Sequence, residues 1–163
     1  MAIQDMEKNY SYLASDFQEE FELQNAAESG LIEAAEKIQR GEIIVEPPSD
    51  VERVQGRRYW QRKISVNPPA NSERFKNISV EVYGENGDIY QVTRKYSSRG
   101  KITDTLDKDD FGAQIVNKGI VLISVASGEN NSGVKKFWRS LAYILESDDY
   151  KKIYFMDTLS GGE

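Results

Sequence analysis

Residues 3–39 read IQDMEKNYSYLASDFQEEFELQNAAESGLIEAAEKIQ, and this stretch decides the fold. Ile3, Met6, Tyr10, Leu13, Phe17 and Phe21 recur every three or four positions. After a polar step at Gln24, the stripe continues through Ala27, Leu31, Ala34 or Ala35, and Ile38. That is the period of one face of an α-helix. No proline interrupts it, and Gly30 is the one internal weak point. Lys37 and Arg40 suit the negative end of the helix dipole, and Gly41 stands where a C-terminal cap belongs. At 1.5 Å per residue the helix is about 54 Å long. A chain of 163 residues has a radius of gyration of about 15 Å. Part of the helix therefore projects or binds something outside the chain, and the early part, with its large apolar side chains, is expected to be that end.

Beyond Gly41 the period changes to two. Ile43 to Val45 is a short apolar run, and the four prolines follow as Pro47-Pro48 and Pro68-Pro69. Proline pairs bar helix and central strand alike. Residues 41–76 are thus expected to connect helix and sheet, with Arg58 to Val66 as an edge strand. In residues 77–96, Ile78, Val80 and Val82 alternate with polar positions, and Tyr90, Val92, Arg94 and Tyr96 follow Glu85-Asn86-Gly87-Asp88. This reads as a hairpin. A two-residue loop at Asn86-Gly87 sets Val82 against Gln91. A three-residue loop at 85–87, with Gly87 left-handed, sets Val82 against Tyr90 and keeps the apolar faces together. The second is preferred.

Gly119 to Ala126, GIVLISVA, is an apolar run of strand length and is expected in the centre of a sheet. Ser127 to Gly133 is loop-like, residues 135–146 alternate as a strand although Phe137, Leu141 and Ile144 also fit a helix, and Ser147-Asp148-Asp149 is a turn. Tyr150 to Met156 is a last strand, and residues 158–163 are expected to be a frayed tail. The expectation is one α+β domain over 1–163: helix 3–40, connection 41–76, antiparallel sheet 77–157 and tail.

The chain has no cysteine and no histidine. Disulfides, thiol catalysis, cysteine-held metals, serine–histidine triads and histidine-held metal hydrolases are therefore excluded. The remaining kit favours a binding or structural role over an enzyme, and no catalytic residue is assigned. Residues 1–40 hold nine acids against the bases Lys8, Lys37 and Arg40, and so carry the whole net charge of −6. An acidic leading segment on a neutral body argues against nucleic acid as a partner. Arg53, Arg57, Arg58, Arg62 and Lys63, with Tyr59 and Trp60 among them, are better matched to the acidic helix as ion-pair partners. Asp104, Asp107, Asp109 and Asp110 form the one acid cluster that could attract Ca²⁺, but their spacing is not that of an EF-hand. Otherwise no cofactor is implied, and neither phosphate-loop motif is present.

Three features together resemble the soluble part of type IV pilin-like proteins, the minor pilins and type II secretion pseudopilins. They are a leading helix with Asn25-Ala26-Ala27-Glu28-Ser29-Gly30-Leu31-Ile32-Glu33-Ala34, a strand hairpin at 78–90, and Ile123-Ser124-Val125-Ala126-Ser127-Gly128-Glu129, a loop, then Gly133-Val134-Lys135-Lys136. The resemblance implies a non-enzymatic subunit that primes, assembles or caps an extracellular filament. It implies a membrane-anchored state before assembly, through an apolar first half of the helix that precedes this chain. Partners would be other pilin subunits, bundled through Ile3, Met6, Tyr10, Leu13, Phe17 and Phe21. The family's frequent C-terminal disulfide loop has no counterpart here. The alternative is a soluble adaptor whose acidic helix pairs with a partner protein.

Overall fold

The computed structural model describes residues 2–47, 62–90, 92–93, 118–156 and 160–161, with side chains of the leading helix from Phe17 onward. Helix α1 runs Ala2–Gln39. It ends in the cap the sequence predicts. Gly41 takes φ +73, its N–H donates to the Ile38 carbonyl at 3.0 Å, and the Glu42 N–H donates to Lys37 at 2.9 Å. This paired pattern is a Schellman motif, and it needs the left-handed conformation that glycine adopts without steric cost.

The strands are β1 (Arg62–Ile64), β2 (Phe75–Asp88), β3 (Lys118–Asn130), β4 (Lys135–Leu145), β5 (Ile153–Met156) and β6 (Ser160–Gly161). They pair antiparallel in the order β1-β2-β3-β4-β5, with β6 also on β4. The α+β arrangement, one helix on an antiparallel sheet, follows the sequence reading. β3 lies between β2 and β4, as its unbroken apolar run requires. Ile120, Leu122 and Ala126 pack with α1 on one face. Val121 and Ile123 pack on the other with Leu141, Met156, Ile89 and Val92. Alternate residues of a strand point to opposite faces, so a strand covered on both sides must be apolar throughout.

The hairpin expected at 78–96 does not form. Residues 85–88 stay in β2 and pair with β3, Asn86 opposite Ile120 and Gly87 opposite Gly119. Gly87 is not among the glycines with positive φ. Two things overrule the local turn signal. Asn86 spends its side-chain amide on the Val45 carbonyl at 2.7 Å, so it is not free to stabilise a turn of its own. The long β3 edge also satisfies the β2 backbone over its full length, which a short local hairpin cannot match. The chain turns instead just past Asp88, where Ile89, Tyr90, Val92 and Thr93 are helical. The Thr93 hydroxyl donates to the Ile89 carbonyl at 2.8 Å.

The loop expected over Ser127 to Gly133 is shorter than its composition suggests. β3 continues to Asn130, and Glu129 pairs with Lys135. Asn130 closes the turn by accepting the Ser132 and Val134 N–H groups at 3.0 and 2.9 Å, and Gly133 supplies φ +83. The edge strand before Pro68 is confined, among the described residues, to β1. The last strand begins at Ile153 rather than Tyr150. The tail is not wholly frayed either: Ser160 and Gly161 pair with Trp138 and Phe137.

The helix meets the sheet through small residues. Ala26, Ala27, Ala34 and Ala35 are all buried. A Cβ placed on Gly30 would lie 2.8 Å from Val80 Cγ1 and 3.1 Å from Ser124 Oγ. Gly30 is thus the point of closest approach rather than a weak spot. Leu23, Leu31 and Ile38 fill the spaces on either side, each worth about 1.5–3 kcal/mol of burial. Gly30→Leu is expected to lower stability by about 1–3 kcal/mol despite leucine's higher helix propensity. Urea unfolding checks this, and an unchanged or higher midpoint would contradict the close approach.

Candidate interaction face on the leading helix

α1 carries two stripes. Leu23, Ala27, Leu31, Ala34 and Ile38 are buried on the sheet, whereas Phe17 and Phe21 are 70% and 56% exposed. At about 100° per residue, the two phenylalanines stand roughly a quarter to a third of a turn from the middle of the packed face. The stripe running from Ile3 to Phe21 therefore does not lead into the core. It continues along the same flank into Gln24 and Glu28, one and two turns on. The polar step at Gln24 marks where the two stripes part. Of the residues expected to bundle with other subunits, Phe17 and Phe21 are exposed; the side chains of Ile3, Met6, Tyr10 and Leu13 lie outside those described.

Phe17 and Phe21 line a shallow groove of about 260 Å³ with Gln18, Glu22, Asn25 and Arg74. Arg74 closes one side by donating from Nη2 to the Gln18 side-chain oxygen at 2.6 Å. Its Nη1 stands 3.9 Å from Glu22 Oε2. That oxygen is buried and makes no hydrogen bond, so the charge of Arg74 compensates it at a distance. The groove is apolar in its floor and charged along one rim.

Below the phenylalanines an acid anchors the helix. Glu19 is 8% exposed and pairs with Lys136 Nζ at 2.6 Å. It also accepts from the Asn130 amide at 3.3–3.4 Å. Asn130 is the residue that closes the β3–β4 turn, so helix, turn and strand meet at one carboxylate. Composition gave no sign of this role, because Glu19 is one of nine acids on the helix. Its phase did carry a signal: Glu19 lies four residues before Leu23, on the packed side. A buried ion pair is costly to break from one end, because the remaining charge stays desolvated.

Of the basic stretch, Lys63 is turned to the sheet rather than to the helix. Lys63 pairs with Glu81 of β2 at 3.7 Å, because β1 and β2 are neighbours. On the helix, Glu19 and Glu22 take Lys136 and Arg74, and Glu33 stands 3.8 Å from Lys37 within the helix itself. Arg53, Arg57, Arg58, Tyr59 and Trp60 lie outside the described residues, as do Asp104, Asp107, Asp109 and Asp110. Among the described residues there is no cluster of three or more acidic side chains that could hold a metal ion. No helix among them is long and apolar enough to cross a membrane.

Lys136→Met is expected to destabilise the fold by about 2–4 kcal/mol, since it strands the Glu19 carboxylate. Adding Glu19→Met should restore most of that loss. A double-mutant cycle in urea measures the coupling, and additive losses would show that the two charges do not depend on each other.

No protein-family model, curated protein sequence or solved structure matches this chain.

Proposed function

We propose that this chain is a non-enzymatic structural subunit of a type IV pilus-like filament, in the manner of a minor pilin or a secretion pseudopilin. The observation that carries the reading is the division of α1. Its C-terminal half lies on an antiparallel sheet, while Phe17 and Phe21 stay exposed on a separate stripe. About 24 Å of helix precedes Phe17. A subunit of this kind works by packing. The sheet and the second half of α1 form a stable head, and the first half joins a bundle of like helices. Two large exposed aromatic side chains on adjacent turns of a helix suit burial against another apolar surface. In this reading the chain is held in a membrane before assembly, through an apolar segment upstream, and ends at the cell surface.

The sequence supports the same reading through the small-residue stretch Ala26-Ala27-Glu28-Ser29-Gly30, which lets the helix lie close on its sheet. The chemistry of the described residues supports it by offering a packing surface rather than a cluster of convergent reactive groups.

Mass spectrometry of the mature protein from its own cells tests the reading. A methylated first residue followed by about 20 apolar residues, upstream of Ile3, is the expected result. A native chain beginning at Met1 or Ala2 would overturn it in favour of a soluble adaptor. Phe17→Asp and Phe21→Asp are each expected to change unfolding stability by less than about 0.5 kcal/mol, as exposed positions do. Both should lower the recovery of the chain in sheared filament fractions. Unfolding of the isolated chain by either change would mean that the stripe belongs to the core.

A further inference from the structure

A second groove, of about 270 Å³, lies between α1 and the β4–β5 side of the sheet. Gln24 and Glu28 form its helix wall, Trp138 and Ser140 its β4 wall, and Phe155 and Met156 its β5 edge. From these residues we infer a binding site for an organic cation, an alkylammonium or alkylguanidinium group. The inference is independent of the filament reading.

The charge is the first argument. Glu28 is half-buried, and its described contact is the hydrogen bond it accepts from Gln24 Nε2 at 3.1 Å. It makes no ion pair with a described residue, and among the described residues neither Lys nor Arg lines the groove. The other half-buried acids on this part of the helix each have a cation nearby, Glu22 with Arg74 and Glu33 with Lys37. Glu28 is the acid left without one.

The aromatic walls are the second argument. Trp138 donates its indole N–H to Ser140 Oγ at 2.9 Å, so its polar edge is satisfied; it packs against the cluster of Leu23, Ala27 and Phe75 and lines the groove with the part that stays half-exposed. Phe155 is 49% exposed at the rim. The negative face of an aromatic ring attracts a cation, and more strongly where water is partly displaced. A carboxylate lining the same groove as the two rings adds charge of the same sign. A neutral polyol would need several fixed donors and acceptors. Here the amide of Gln24 already holds Glu28, and the Ser140 hydroxyl oxygen already accepts from Trp138. An organic cation needs only the charge and the rings.

The test is a fluorescence titration of the whole chain carrying Trp60→Phe, so that Trp138 is the one tryptophan reporting. n-Butylguanidinium and n-butylammonium are the probes, with n-butanol as the neutral control at equal ionic strength. A saturable change with both cations and none with n-butanol is expected. Glu28→Gln keeps the hydrogen-bond acceptor and removes the charge, and should weaken binding about tenfold. Phe155→Leu, at a half-exposed position, should weaken it without altering charge. Circular dichroism melting confirms that both variants are folded. No saturable change, an equal response to n-butanol, or equal binding by Glu28→Gln would each overturn the site. Sedimentation with and without n-butylguanidinium separates two sources of the cation. Self-association that the probe disperses assigns it to a Lys or Arg side chain of a second copy. A monomer that binds the probe assigns it to a free organic cation.

Discussion

The closeness of α1 to the sheet is the constraint on which the rest of the structure depends. Gly30 brings the helix backbone against Val80, Val82 and Ser124, and alanines at 26, 27, 34 and 35 extend the contact along the axis. A helix this close cannot bury large side chains along its centre line. Its leucines and isoleucine are therefore fitted around the small residues, and β2, β3 and β4 present Val82, Leu122 and Ala142 beneath them. The same closeness sets the helix's rotation about its own axis. That rotation leaves Phe17 and Phe21 outside the contact and brings Glu19 to its edge.

Charge holds this arrangement at one end and hydrogen bonds at the other. At the far end of the sheet Glu19 takes Lys136 and the amide of Asn130. Near the C-terminus of α1, Lys37 Nζ donates to the Ser65 carbonyl at 2.6 Å, and the Gln39 amide donates to the Tyr150 carbonyl at 2.5 Å. The Asn67 N–H donates to Glu33 Oε2 at 2.7 Å, tying the chain after β1 to the same helix. Exposed pairs such as Lys63–Glu81 and Arg40–Glu42 add little, because water and salt screen them. What these anchors fix is direction. Among the described side chains, the helix is pinned at Glu19 and at Gln39.

Both grooves lie on parts of α1 that the sheet does not cover. One is an apolar floor beside Phe17 and Phe21. The other, one to two turns further on, is lined by a carboxylate and two aromatic residues. They differ in chemistry because the flank changes from Phe to Gln and Glu at the point where β4 and β5 come alongside the helix. A helix flank that is apolar beyond the sheet and polar beside it can take a hydrophobic partner and a charged one at separate places.

The helix, its glycine cap and the apolar central strand were legible in the sequence, because each depends on neighbours a few residues away. A period of 3.6, a glycine after the last turn, and an eight-residue apolar run are local facts with local consequences. The tertiary structure alone decided the partner of β2. Glu85-Asn86-Gly87-Asp88 has the composition of a turn, yet pairing with β3 across some thirty residues of sequence satisfies more backbone and buries more surface than a local hairpin. It also decided which of the described helix acids is buried. Lys136 and Asn130 are more than a hundred residues from Glu19 in the chain, and no sequence spacing records that separation. The sequence by itself determined that the chain opens on one long helix closed by a glycine cap. Where the covered stripe ends and the uncovered one begins was set by the sheet, because only the strand positions say how much of the helix there is surface to cover.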